Sequence, residues 1–416
     1  MLLVVMLIGM AAALLVYGMV DTDSLVLQRN NNVAAAFEQA KQALIGRAVA
    51  DQNRPGSLPC PDIDNDGVLT LNVDYFSGGV CARLIGRLPW RTLGLPDLRD
   101  DAGERLWYAL SDMFSDNAAA GPLNSDTQGN RTVYRDSTAV TLTSQAVAVI
   151  FAPGTTLAGQ IRDGSAVMCP TTGTTIARIL CAANYLEATG GANNATVAGP
   201  YIAASRSATY NDQLFVITTS ELIPPVEQRV ALELRTILQT YKANTACACT
   251  NLAGNPPGNT GCYPWADLSD GNSDSAPFNA GSERNRGRIP ALGAAPRDWG
   301  TNPCGSPVPT MPSWFVNNDW RMVVYYSAGR NFLGPDPCVT CVDSTLTVDG
   351  VAGKQVVILM PGPLLGTPPR SPVPMSDLTY WSYYFDDDWE NRDNVNDLFV
   401  TPTSTAYTRD RIYTIP

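Results

Sequence analysis

Six short blocks recur in the same order in the two halves of the chain, and this constrains the fold more than any other feature. An amphipathic stretch at 33–50 is matched by "PPVEQRVALELRTILQTYKAN" (224–244), and each is followed by a cysteine-containing acidic turn, "LPCPDIDNDG" (58–67) and "GCYPWADLSDGNSD" (261–274). Then "GRLPWRTLG" (86–94) matches "GRIPALG" (287–293), and "RLWYALS" (105–111) matches "RMVVYYS" (321–327). "AVIFAPG" (148–154) matches "VVILMPG" (356–362), and "YNDQLFVIT" (210–218) matches "VNDLFVT" (395–401). Blocks in the same order read as two copies of one unit, each a helix laid on a small antiparallel sheet. The runs "AVAVIF" and "QVVILM" have strand length and no polar interruption, as central strands covered by a helix require. The expected class is α+β, with a long N-terminal hydrophobic helix over 1–50, a first unit over 21–223 and a second over 224–416.

Composition narrows the chemistry. The 416 residues carry a net charge of -11, which speaks against a nucleic-acid partner, since neutralising phosphates takes clustered lysine and arginine. Histidine is missing altogether, which removes Ser-His-Asp and Cys-His nucleophiles and the usual zinc sites. No GxSxG, GxxxxGK[ST] or GxGxxG after a strand is present. No catalytic residues are assigned, and the chain is read as a non-enzyme. The ten cysteines are Cys60, Cys81, Cys169, Cys181, Cys247, Cys249, Cys262, Cys304, Cys338 and Cys341. An even number, set in loops rich in the 34 glycines and 31 prolines, reads as disulfides made in an oxidising compartment. Local pairing predicts Cys60–Cys81 and Cys169–Cys181, with the other six paired among themselves in the second unit, Cys338–Cys341 as a tight loop.

The N-terminal run "MLLVVMLIGMAAALLVYGMV" holds 20 uncharged residues, enough to cross about 30 Å of hydrocarbon as a helix. Beyond it Val26, Val33, Phe37, Ala40, Leu44 and Ala48 recur at helical spacing, with Gln28, Asn32, Gln39 and Arg47 on the other face, until Pro55 and Gly56. The pattern predicts one continuous helix of about 50 residues. Its apolar half would lie in lipid or among identical helices, through Met1, Leu2, Leu3, Val4, Gly9, Ala12, Leu15 and Gly18, while Phe37 and Leu44 carry the head.

The N-terminal segment together with "AFEQAKQALIGRAVA", "LPCPDIDNDG" and "GRLPWRTLGLPDLRDDAGERLWYAL" resembles the type IV pilin and pseudopilin superfamily, in particular large pilin-like proteins of Gram-negative bacteria with a class III-type N-terminal helix. The resemblance implies a basic leader removed by a prepilin peptidase, passage through the inner membrane, and assembly with copies of itself or other pilin-like subunits into an extracellular filament. Major pilins usually carry a glutamate in the first turns of the mature helix. Here Met1 to Val20 offer none, so the subunit assembles without that contact or is a less typical member, a minor pilin or a cap. The alternative reading is a membrane-tethered or pilus-tip adhesin whose head binds a surface or carbohydrate.

The motif Asp62-x-Asp64-x-Asp66-Gly67 is the start of an EF-hand-like calcium loop, with the Val68 carbonyl as the next ligand. The bidentate glutamate of such a loop would fall at Val73, and the adjacent Asp74 is the available substitute. Calcium is the one cofactor expected. Two other readings stay open: a solvated or internally hydrogen-bonded acidic turn, and a carboxylate pair for glycoside hydrolysis. Asp267, Asp270 and Asp274 lack the strict alternation. The stretch "YWSYYFDDDWENRDN" (380–394) reads either as a strand edge with an acidic turn or as a sugar-binding patch.

Overall fold

The computed structural model describes residues 32–116, 121–243, 261–264, 266, 285–290, 292, 299, 308–329, 332–333, 345–363, 398–401 and 410–416. It divides into two compact units. The first takes the described residues of Met1–Ala50 with Ser57–Asn117 and Gln128–Glu221; the second takes Asp51–Gly56, those of Ala118–Thr127, and those of Leu222–Pro416.

The expected fold class is overturned. The described residues are mostly sheet, with eighteen strands against three α-helices. Among them no helix is long and apolar enough to cross a membrane. The first helix, α1, is described over 32–50, and residues 1–31, with the filament-core positions Met1 to Gly18, lie outside the described residues. The amphipathic pattern sets a helix only where a face can be buried, whereas the many Gly- and Pro-bounded apolar runs form short strands.

In the first unit the strands are β1 (Ile85–Arg87), β2 (Trp107–Leu110), β3 (Arg131–Tyr134), β4 (Thr141–Ala146), β5 (Ala148–Ala152), β6 (Ala166–Cys169), β7 (Thr174–Ala177), β8 (Ala188–Thr189), β9 (Ala192–Asn193), β10 (Tyr201–Ile202) and β11 (Gln213–Ile217). The main sheet has order β1-β2-β5-β11, all antiparallel, and a smaller sheet has order β10-β3-β4. Every residue of β5 is buried, as its uninterrupted apolar run requires. Because side chains alternate, Val149 and Phe151 face one way, into a core with Trp107, Val133, Tyr185 and Tyr201. Ile150 faces the other way beside its register partner Phe215. On that face lies α1. The Phe37 ring sits 5.9 Å from that of Phe215, and Val33, Ala36, Phe37, Ala40, Leu44 and Ala48 are buried at intervals of three and four.

In the second unit the strands are β12 (Arg286–Arg288), β13 (Tyr325–Ala328), β14 (Leu346–Val348), β15 (Val351–Lys354), β16 (Val356–Met360), β17 (Leu398–Phe399) and β18 (Arg411–Ile415). The main sheet has order β12-β13-β16-β18 and the smaller one β15-β14-β17. In both units the smaller sheet contains one parallel pair, β10 with β3 and β17 with β14. This placement corrects one matched block. "YNDQLFVIT" contains β11, the last strand of its main sheet, but "VNDLFVT" contains β17 of the smaller sheet; β18, "RIYTI", holds the position corresponding to β11. The likeness of the two blocks is one of side-chain chemistry, and strand pairing follows register and not similarity.

The helix α2 (Thr219–Lys242) starts earlier than Pro224 and Pro225 suggested. Its start carries the carboxylate half of a capping box. The Thr218 N–H donates to Glu221 Oε2 at 3.0 Å, and Thr218 Oγ1 donates to the same oxygen at 2.9 Å. Val226, Val230, Leu234 and Tyr241 are buried as expected, but Leu238 takes the place assigned to Ile237, which is half-buried. Buried Glu227 on α2 accepts from Ser125 Oγ at 2.8 Å and pairs with Arg411 of β18, which ties the 121–127 segment into the second unit. The third helix, α3 (Ser313–Asn317), buries Trp314 and Phe315.

Candidate functional site

The acidic motif lies in the chain between α1 and β1, and three neighbouring segments shape it. Cys60 and Cys81 close the loop as a disulfide. Asp62 is pinned to β1 by a reciprocal backbone pair, Asp62 N–H to Arg87 O at 2.9 Å and Arg87 N–H to Asp62 O at 2.6 Å. That approach explains the glycine before Arg87, since a Cβ on Gly86 would stand 2.5 Å from the Asp62 carbonyl oxygen. The "PWRTLG" turn grips the other side. Arg91 and Thr92 N–H groups donate to Gly67 O at 3.0 and 3.2 Å, and Leu69 N–H donates to Thr92 Oγ1 at 2.9 Å. Gly67, at φ +87°, lies under the Trp90 indole so closely that a Cβ would meet Nε1 at 2.5 Å. Arg105, paired with Asp97, donates to Asn65 O at 2.6 Å. The two sequence blocks "LPCPDIDNDG" and "GRLPWRTLG" are thus halves of one structure.

One carboxylate oxygen each from Asp62, Asp64 and Asp74 lies within 4.8 Å of the others. Asp62 and Asp74 are buried and Asp64 is exposed. Asp62 accepts from Asn65 N–H at 2.6 Å and Gly67 N–H at 2.7 Å, while Asp74 accepts from Ile63 N–H at 2.7 Å and Thr70 N–H at 2.8 Å. Asp66 and Val68 are joined to each other instead, Val68 N–H donating to Asp66 Oδ1 at 2.6 Å. The structure therefore brings together the first two aspartates of the motif and Asp74, and leaves Asp66 out of the trio.

Burial pushes the Asp62 carboxyl up to about 7; the Gly67 and Asn65 donors oppose this, while contact with Asp64 and repulsion from Asp74 add to it. Burial raises Asp74 as well, with the Asp64 and Asp66 charges adding to the effect. Three carboxyls this close are held at neutral pH either by a retained proton or by a cation with oxygen ligands. Among the described residues, Asp62, Asp64 and Asp74 have the geometry to hold one.

Beside the loop, Arg87 is buried and stacked between Trp107 and Tyr185, 4.2 and 4.1 Å from the ring centroids. Burial lowers its pKa to about 10. The sequence reading missed this stack, for Arg87 and Tyr185 lie far apart in the chain; an arginine in a short strand with an apolar pattern was the available signal.

The Cys169–Cys181 disulfide also forms, and Cys262 is disulfide-bonded. Cys247, Cys249, Cys304, Cys338 and Cys341 lie outside the described residues, as do Asp267, Asp270 and Asp274 and the 380–394 stretch. Comparison with protein-family models, with curated proteins and with solved structures finds no match.

Proposed function

We propose that the chain is a non-catalytic structural subunit of a pilus-like extracellular filament, assembled through its apolar N-terminal segment. The observation that supports this reading most is the seating of α1. Its buried face packs on the first unit's sheet, and Lys41 pairs with Glu221 in the first turn of α2. In this proposal the 20 uncharged residues at the N-terminus continue into the helix that is fixed on the head over 32–50. A subunit built into a filament needs that fixed relation between the apolar segment and the head; a tether does not.

Residues 1–20 carry no charge, so an exposed run would leave tens of side-chain methylene groups in water at about 25 cal/mol per Å². Shearing cells without detergent tests the reading. Filaments containing the chain are expected in the supernatant, and Ala12→Lys, which puts an unpaired charge in the apolar run at a cost of several kcal/mol per subunit, abolishes them. Sheared filaments of normal diameter from that variant would overturn the proposal. A chain that stays with the cells would support the tethered adhesin.

A further inference from the structure

A second cluster of acids lies in the first unit, far in sequence from the acidic loop, and consists of Glu187 and Asp212. Both residues are buried, at 8% and 2% exposed. They clamp each other. The Glu187 N–H donates to Asp212 Oδ2 at 2.8 Å, and the Asp212 N–H donates to Glu187 Oε2 at 3.1 Å. Glu187 is completed by Asn211 N–H at 2.9 Å on Oε2 and by Gln160 Nε2 at 2.6 Å on Oε1. Asp212 Oδ2 also accepts from Asn194 Nδ2 at 2.9 Å. Asp212 Oδ1 is buried without a donor, as is Oδ1 of the neighbouring Asn211.

Among the described residues no cation is free to balance two charges here. Arg162 is spent on the Gly154 and Asn184 carbonyls, on Gln160 Oε1 and on Glu104. Tyr210 donates its hydroxyl to the Ile202 carbonyl. Asp100, the next acid, accepts from Gly154 N–H and from its own turn. Arg206 pairs with Asp101. A buried acceptor without a donor and two facing carboxyls without a counter-ion are both satisfied by one proton on Asp212 Oδ1.

We propose that Asp212 holds a proton against Glu187 and that the pair forms a latch closing the 187–212 segment, holding it while the proton is bound and releasing it when alkaline pH removes the proton. The segment so closed contains β8, β9 and β10 and returns to the main sheet at β11. Its two ends meet through this clamp and the Asn194 amide, which also holds the Ile202 backbone through Ile202 N–H to Asn194 Oδ1 at 2.8 Å. Burial and the neighbouring Glu187 charge raise the Asp212 carboxyl well above the usual carboxylate range, in the direction the latch requires.

Hydrogen exchange of the full chain, followed peptide by peptide from pH 6 to pH 10 and corrected for intrinsic rates, tests the latch. While the closed pair holds its proton and the opened segment does not, protection of 188–211 should fall about tenfold per pH unit, the slope for one proton released per opening, and level off once the closed pair has lost it, while β5 peptides stay protected. Asp212→Asn keeps a donor facing Glu187 and carries no charge, so its 188–211 protection should not change with pH over this range. If the wild-type segment keeps constant protection to pH 10, the proposal fails whatever the variant does. Should Asp212→Asn fail to fold, the infrared carbonyl band of a protonated carboxyl in the wild type near neutral pH decides. A band lost on alkaline titration in step with protection supports the latch, and the lack of one overturns it.

Discussion

The Lys41 ammonium lies 2.7 Å from Glu221 Oε1, joining α1 to the first turn of α2 across 180 residues of chain. The same carboxylate accepts from Thr218, so one side chain holds both a helix start and an ion pair. Lys41 also stands 5.3 Å from the centroid of the Phe215 ring.

The pair has a defined pH signature. Burial alone would raise Glu221, but the Lys41 ammonium and the Thr218 donors outweigh it and hold the carboxyl below its ordinary value of 4.5. A depressed carboxyl contributes stability that is present above about pH 4.5 and is lost as the pH falls through the folded value. Both side chains are partly exposed, so Glu221→Gln should cost only about 1 kcal/mol at pH 7. Urea unfolding at pH 7 and pH 3 checks this: the gap between wild type and variant should shrink at pH 3.

With divalent ions chelated, Asp62 should produce the opposite slope. Its folded value of about 7 lies above its ordinary 3.8, so between those values the native state binds more protons than the unfolded one. Stability then falls as the pH rises from about 4 to 7 and levels off beyond. Asp62→Asn should flatten that part of the profile in thermal melts. Calcium added at pH 8 is the complementary measurement. A rise in Tm that Asp62→Asn abolishes would mean a cation takes the proton's place, and an unchanged Tm would leave the loop as an acidic turn.

Gly67→Ala should be far more damaging than its size suggests. The residue stands at φ +87° and the added Cβ would meet the Trp90 indole at 2.5 Å. Left-handed strain of about 1–2 kcal/mol adds to the cost of displacing Trp90, so a loss of about 2–4 kcal/mol is expected. Gly78→Ala, at similar φ but with nothing within 4 Å, should lose only the strain. Equal losses in denaturant titrations of the two variants would contradict the close packing.

Removing the Cys60–Cys81 bridge, with a sequence separation of 21, by a double serine substitution should cost about 2–4 kcal/mol, chiefly through the unfolded chain. Because the "PWRTLG" turn and β1 grip the loop independently, Asp62 should stay buried. Trypsin cleavage at Arg83 or Arg87 in the folded variant as fast as in the unfolded chain would show that the bridge alone holds the loop.

Local pattern accounts for much of what was legible. The buried face of α1 could be read at Val33, Phe37, Ala40, Leu44 and Ala48, since helical spacing places them together whatever surrounds them. The fully buried β5 and β16 could be read from their uninterrupted apolar runs. The T-x-x-E box at Thr218 and Glu221 was present in the sequence too, masked by the more conspicuous Pro224 and Pro225. The fold class was not legible, for a long periodic segment suggests helix everywhere while many short strands each give a weak signal.

By itself, the sequence determined which residues could pair as neighbours: the Cys60 and Cys81 staple, the aspartates at alternate positions, and the apolar stripe of α1. Tertiary structure alone decided that Asp66 turns away to Val68 while Asp74, the substitute ligand the sequence offered, joins Asp62 and Asp64, and that β18 and not "VNDLFVT" completes the second main sheet. It alone set Glu187 against Asp212 and Arg87 between two rings. The physical reason is common to all of these. Spacing along a chain fixes direction within one turn or strand, but which distant groups meet depends on register and on burial, and burial is also what raises Asp62 and Asp212 out of the ordinary carboxylate range.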